Sequence, residues 1–333
     1  MGKRKEERIH VTSNSGRPSR GRFAPTPSGR MHLGNASTAL LAWLQLRAAG
    51  GAMVLRMEDL DRARCKPAYA ELLIEEMRWL GLDWDEGPDI GGACGPYTQS
   101  ERDERYREAI ARLRGDGWLY SCYCSRAELL QMANAPHGLA SEGAPVRCGC
   151  RELSPEERER RERIKAPSLH FAMPERDIGF RDGIAGERSF RSAGDFAVVR
   201  ADGVVGYQLA VVVDDLAMGI TDVLRGWDLL DSTPRQLALF EALGATAPRY
   251  AHGPLWLGDD GSRLSKRHGS VSLSELRAES VKAEEIVGLI AWATGLIPKP
   301  EAAKPAELIP VWSPEKVAQE AIRLPGDWME RLR

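Results

Sequence analysis

The sequence predicts an α/β protein: a parallel sheet in two halves, split by a cysteine-bearing insertion and followed by a short helical C-terminal region. Three observations carry this reading. Gly21 to Met57 reads as strand, Pro/Gly loop, helix and strand, which is a βαβ unit. From about Tyr97 to Phe190 the alternation of strand and helix is lost. It returns at Val204 with two apolar runs that end in polar residues, as parallel strands buried on both faces do.

Gly21 to Ala24 reads as a short buried strand, Pro25-Thr26-Pro27-Ser28-Gly29 as a loop, and His32 to Leu46 as a helix from the spacing of Ala36, Leu40 and Leu44. Gly50-Gly51 ends that helix, and Met53 to Glu58 resumes as a strand with charges at its carboxyl end. Tyr69, Leu73, Met77 and Leu80 mark an amphipathic helix that covers the sheet. Glu156 to Lys165 is charged everywhere except Ile164, with signs interleaved, which suits a solvated helix face better than a nucleic-acid stripe. Ala210 to Val213 is expected to be a strand ending in Asp214-Asp215, and Ile220 to Leu224 a second ending in Arg225-Gly226. Thr233-Pro234 then opens a helix as N-cap and first-position proline, with Leu237, Phe240 and Leu243 on one face. Helices around Leu276, Ile286 to Trp292 and Val317 to Ile322 complete the chain. The expected units are a flexible tail at 1–20, a first sheet half at 21–96, the insertion at 97–190, a second half with a lysine loop at 191–273, and the helical region at 274–333.

Composition narrows the function classes. The 333 residues hold 46 Lys+Arg against 48 Asp+Glu, a net charge of −2, which suits neither a basic nucleic-acid coat nor a disordered polyanion. Apolar runs such as Leu209 to Val213 are far shorter than the ~18 residues of a spanning helix. Met1 to Arg20 has no apolar centre of the kind a secretory signal carries, so a cytoplasmic protein is expected. Four of the six cysteines form two Cys-x-Cys pairs, Cys122/Cys124 and Cys148/Cys150, which in a reducing compartment point to a thiolate metal site.

Two segments carry chemistry. The Pro-Thr-Pro-Ser-Gly loop leads to His32-Leu33-Gly34-Asn35 at a helix start, whose free N–H groups and partial positive charge can cradle phosphates. Lys266, in Gly261-Ser262-Arg263-Leu264-Ser265-Lys266, offers an ammonium of the kind that stabilises a phosphoryl-transfer transition state.

With those residues in place the sequence resembles a known family. RFAPTPSGRMHLGN is similar to the HIGH signature of class I aminoacyl-tRNA synthetases in its glutamyl form, and RLSKR is similar to the KMSKS signature. RMEDLD, YQLAVVVDD, VLRGWDLLDSTPRQ and PRYAHGPLWL resemble the glutamyl-group blocks between them. The resemblance runs from about Arg22 to Leu273. It implies a Rossmann-type nucleotide-binding sheet, ATP with magnesium, and activation of L-glutamate as glutamyl-adenylate. The stretch after Arg267 is too short for the long anticodon-binding region of a full glutamyl-tRNA synthetase. That shortness, with a Cys-x-Cys pair in the insertion, resembles the family's glutamyl-queuosine branch, which implies transfer of the glutamyl group to queuosine in the anticodon of tRNA(Asp) by a monomer.

The resemblance also implies roles. Arg22 and Arg225 would hold the substrate γ-carboxylate, since guanidinium forks match carboxylates. Glu58 would meet the α-ammonium, Tyr207 would close the pocket, and Ala24 and Thr26 would line it. His32, Gly34, Asn35, Ser265 and Lys266 would bind ATP, with His32 and Lys266 stabilising charge at the α-phosphorus.

In two places the sequence departs from the family wording. The usual metal pattern is Cys-x-Cys, then a Tyr and a Cys four residues beyond it. Counted back from Cys150, the Tyr position holds Val146, so Cys148 is the expected fourth ligand beside Cys122, Cys124 and Cys150 of a structural zinc, with His137 as rival. The lysine loop carries Arg263 and Arg267, which keep the charge but not the flexibility of Lys. Three rivals are a truncated glutamyl-tRNA synthetase acting on an acceptor end, a silent tRNA-binding paralogue, and a nucleotidyltransferase that uses no tRNA.

Overall fold

The computed structural model describes residues 18–125, 127–129, 148–190, 194–258, 261, 272–324 and 328. The expected tail up to residue 17, His137, Val146 and the lysine-loop residues Arg263, Ser265, Lys266 and Arg267 lie outside the described residues.

Strands β1 (Arg20–Phe23) and β2 (Ala52–Leu55) flank helix α1 (Leu33–Ala48), and α2 (Pro67–Trp79) follows. The middle of the chain holds α3 (Asp103–Gly115), β3 (Leu119–Cys122), α4 (Pro155–Glu162), β4 (Ser168–Phe171), β5 (Ile178–Asp182), β6 (Gly186–Phe190) and β7 (Phe196–Val199). Next come α5 (Tyr207–Ala217), β8 (Asp222–Gly226), α6 (Thr233–Ala242), β9 (Arg249–Gly253) and β10 (Leu255–Leu257). Helices α7 (Leu273–Ala278) and α8 (Ala283–Ala293) and strand β11 (Ala321–Arg323) follow.

The central sheet has the order β2-β1-β8-β9 and is parallel throughout. Its two halves come from chain segments on either side of the insertion and meet where Gly21 pairs with Asp222. A Cβ at Gly21 would lie 2.8 Å from the Asp222 carbonyl oxygen, so a side chain there would part the halves. One face is covered by α1, on which α8 packs, with Leu40, Leu44 and Ile290 in one core. The other is covered by α5 and α6, with Leu209, Val213 and Phe240 in a second. The antiparallel sheet β3-β4-β7 carries the first cysteine pair at one end, and the hairpin β5-β6 packs against β9.

Three expectations change. Ala210 to Val213 is the middle of helix α5, not a strand. An apolar run buried on all sides has no periodicity to distinguish the two, and an acidic pair at its end suits a helix as well as a strand. Val317 to Ile322 is not a helix: β11 pairs parallel with β10, Leu255 opposite Ala321. Thr233 is the first residue of α6 rather than its N-cap, and its hydroxyl accepts a hydrogen bond from Arg225 Nη2 at 2.9 Å.

Candidate active site and metal centre

A cavity of about 650 Å³ opens at the carboxyl ends of β1 and β8. That is where ligands bind in open parallel sheets, because the strand order diverges there. Of the residues expected at the site, Arg22, Ala24, Thr26, His32, Gly34, Asn35, Glu58, Tyr207 and Arg225 all line this one cavity. Ser265 and Lys266 lie outside the described residues.

One end of the cavity is built by the start of α1. Asn35 Oδ1 accepts from the backbone N–H of His32 at 3.4 Å, and the Ala36 N–H donates to the His32 carbonyl at 3.0 Å, so the helix starts at the cavity wall. A Cβ at Gly34 would lie 3.2 Å from the His32 ring, so glycine leaves that imidazole its place. The stretch that follows the lysine loop returns to the same point: Ser272 bridges to His32, and the Leu273 N–H donates to the Met31 carbonyl at 2.9 Å.

The opposite end holds a buried charge network. Arg22 Nε donates to Asp215 Oδ1 at 3.2 Å, Arg56 Nη1 donates to the same oxygen at 2.7 Å, and Arg56 Nη2 donates to Glu58 Oε1 at 3.0 Å. Burial alone would lower the Arg56 pKa, but Asp215, Glu58 and Asp214 outweigh it and raise it. Burial would likewise lift Asp215, yet Arg22 and Arg56 hold it below the usual carboxylate range. For Glu58 burial wins, and its carboxyl is pushed up despite Arg56 and Arg22.

Arg225 has a different environment. Its Nε donates to His252 Nε2 at 3.0 Å, Nη1 to Gln236 Oε1 at 2.7 Å, and Nη2 to the Leu229 carbonyl and to Thr233 Oγ1. Its guanidinium also lies over the Tyr250 ring, 4.9 Å from the centroid. All these partners are uncharged. His252 Nδ1 is 2.6 Å from Asp182 Oδ2, and burial, reinforced by Arg225, lowers the histidine pKa to about 4.

Arg56, Asp215, Asp182, His252, Thr233 and Gln236 are the residues that sequence reasoning left out. Asp215 sat in a segment read as a strand end, and His252 lay inside a quoted block without a role. Asp182 is one acid among many in the insertion and gives no signal.

The four expected metal ligands come together. All four Sγ atoms of Cys122, Cys124, Cys148 and Cys150 lie within 4.8 Å of one another. Cys122 and Cys148 are 3.5 Å apart and Cys124 and Cys150 3.7 Å. Those spacings are far too long for a disulfide. They fit the edges of a tetrahedron about 3.7 Å on a side, as Zn–S bonds near 2.3 Å require. The backbone N–H of Tyr123 points to Cys150 Sγ at 3.5 Å, and Lys165 Nζ caps the Tyr123 and Cys124 carbonyls. The donor set therefore suits a closed structural site for a thiophilic divalent ion.

Fold and site together define a class I aminoacyl-tRNA synthetase catalytic unit, an ATP-dependent ligase. The chain belongs to the family described as tRNA synthetases class I (E and Q), catalytic domain, whose model matches residues 19–294. It is 58% identical to a Glutamyl-Q tRNA(Asp) synthetase of Symbiobacterium thermophilum, over 94% of this chain and 98% of that one. It is 44% identical to a glutamate–tRNA ligase of a Sulfurihydrogenibium species, over 81% of this chain but 58% of that one. Among solved structures, a glutamate tRNA ligase from Elizabethkingia meningosepticum in complex with its amino acid superposes with a TM-score of 0.80 at 28% identity, covering 95% of this chain and 69% of that one. No helix among the described residues is long and apolar enough to cross a membrane.

Proposed function

We propose that the protein activates L-glutamate with ATP and transfers the glutamyl group to queuosine in the anticodon of tRNA(Asp). In the first step an oxygen of the glutamate α-carboxylate attacks the ATP α-phosphorus and pyrophosphate leaves. In the second, a cyclopentenediol hydroxyl of queuosine attacks the glutamyl carbonyl carbon, giving up its proton as AMP leaves with the bonding electron pair.

One observation carries the glutamate half: Arg22, Arg225 and Glu58 converge on a cavity whose far wall is the phosphate-binding helix start. A dicarboxylic amino acid offers two anions and one cation to that arrangement. Arg22 and Arg225 bind the γ-carboxylate, Glu58 the α-ammonium, and Tyr207 closes the pocket beside Ala24 and Thr26. His32, Gly34 and Asn35 hold the nucleotide, with Ser265 and Lys266 brought to it from the lysine loop. Magnesium accompanies ATP and screens the phosphate charge when bound. Cys122, Cys124, Cys148 and Cys150 hold zinc. The queuosine half is supported by the 58% identity to a glutamyl-Q synthetase along nearly the whole of both chains.

The test is ATP–pyrophosphate exchange with glutamate in the absence of tRNA, followed by transfer of labelled glutamate to queuosine-bearing tRNA(Asp) or to tRNA(Glu). Exchange without tRNA and label on tRNA(Asp) are expected, with periodate treatment of the queuosine diol blocking the transfer. Label on tRNA(Glu) alone would replace this reading with that of an acceptor-end synthetase.

A further inference from the structure

Resting on the glutamate reading of the cavity, the structure assigns Asp182 and His252 as positioning residues that give the pocket its preference for a carboxylate over an amide. Arg225 is 3% exposed, and among the described residues no carboxylate lies within ion-pairing distance of it. A buried guanidinium without a counter-charge is costly, and the cost is relieved when a ligand supplies the anion. Arg22, by contrast, already shares Asp215 with Arg56.

The relay keeps Arg225 in that state. Asp182 Oδ1 accepts the backbone N–H groups of Ile184, Ala185 and His252, which fixes the carboxylate at the tip of the β5-β6 hairpin. Its Oδ2 faces His252 Nδ1 at 2.6 Å, so Nδ1 carries the proton and donates. Nε2 is then a lone-pair acceptor and receives the Arg225 Nε–H at 3.0 Å. Asp182 is thus separated from the guanidinium by a neutral ring. Beyond Nη1 the chain continues through amides and a hydroxyl: Gln236 Nε2 donates to Gln208, and Gln208 Nε2 to Ser232. Arg225 is held in place by acceptors that leave its charge unspent. A glutamine side chain, with no negative charge, cannot complete that site.

Asp182→Asn tests the assignment. Its amide nitrogen would face His252 Nδ1, the proton would move to Nε2, and two donors would then meet at Arg225. The expected result is a rise in KM for glutamate of roughly ten- to a hundredfold, the range for losing a hydrogen bond to a charged group. The glutamate-to-glutamine ratio of kcat/KM should fall, while KM for ATP and the melting temperature stay near wild type. Nitrogen-15 shifts of the His252 ring should report the exchange of tautomers. His252→Asn is the second variant, because its amide can still donate to Asp182 while nothing reaches Arg225 Nε, and the same KM rise is expected.

Wild-type KM and discrimination in both variants would overturn the assignment, as would a loss spread equally over kcat, both KM values and the melting temperature. No glutamate-dependent exchange by the wild-type protein would overturn the reading of the cavity itself, and that failure is recognised without either substitution.

Discussion

Asp214 and Asp215 are consecutive in α5, and both carboxylates reach the buried Arg56, at 3.9 Å and 2.7 Å, while their other partners differ. A helical step turns neighbouring side chains by about 100°. Asp215 joins Arg22, which lines the cavity, to Arg56. Asp214 faces α3 and accepts from Arg102 Nε at 2.5 Å, Gln99 Nε2 at 2.8 Å and the Tyr106 hydroxyl at 2.9 Å. One turn of helix therefore ties the amino-acid pocket to the start of the inserted segment.

Asp215→Ala takes from buried Arg22 its carboxylate partner and leaves Arg56 with Glu58, and is expected to cost about 3–5 kcal/mol of stability, the range for breaking a buried pair from one side. Glu58→Gln should behave differently. The Glu58 carboxyl is raised by burial, so its ionised form is a cost to folding that grows as pH rises above the normal carboxylate range. At neutral pH the variant should therefore unfold at the same or a higher urea midpoint than wild type while losing glutamate-dependent exchange. A fall in midpoint as large as that of Asp215→Ala would show that Glu58 supports the fold rather than the ligand.

Acid should destabilise the protein through His252. Its folded pKa, lowered to about 4, lies below the value of an unfolded histidine near 6.5, so the unfolded chain binds the extra proton first. The contribution is complete above about pH 6.5 and is lost as pH falls towards 4, by at most about 1.4 kcal/mol per pH unit. Urea midpoints between pH 4 and 7 should fall less steeply in His252→Asn than in wild type, and parallel slopes would exclude this origin.

Gly34→Ala is expected to separate stability from activity. Alanine favours a helix over glycine by about 1 kcal/mol, so the melting temperature should hold or rise. The added methyl presses on the His32 ring at 3.2 Å, so KM for ATP should climb several-fold. Exchange kinetics at varied ATP would check this, and an unchanged KM would place His32 away from the phosphates.

The purified protein should contain close to one zinc per chain by elemental analysis. Cys148→Ser should lose most of it, whereas Cys65→Ser, outside the cluster, should keep it. Equal zinc in both variants would return the fourth position to another ligand such as His137.

Much of this site was legible because its chemistry is carried by short segments with fixed spacing. The loop before His32, the charges after β2 and the two Cys-x-Cys pairs were each readable before any contact was known. The parallel sheet followed from the same segments, since apolar strands ending in polar residues place those residues on one edge. What escaped depends on burial. Ala210 to Val213 is apolar all round in either conformation, so only its neighbours in space decide between strand and helix. Asp182 reaches Arg225 through His252, a link between a hairpin in the insertion and two strands of the other sheet half, and no local pattern encodes it.

The contacts around the lysine loop have a further consequence. The segment that leads into it pairs with β11, and the segment that leaves it is bonded to His32 and Met31. Apart from Gly261, the described chain stops after Gly258 and resumes at Ser272, the latter at the cavity-lining His32, with Lys266 between them in sequence. In the role proposed for Lys266, connection to those two points would make its ammonium an intramolecular partner of ATP, for which short linkers set effective concentrations in the ~millimolar range.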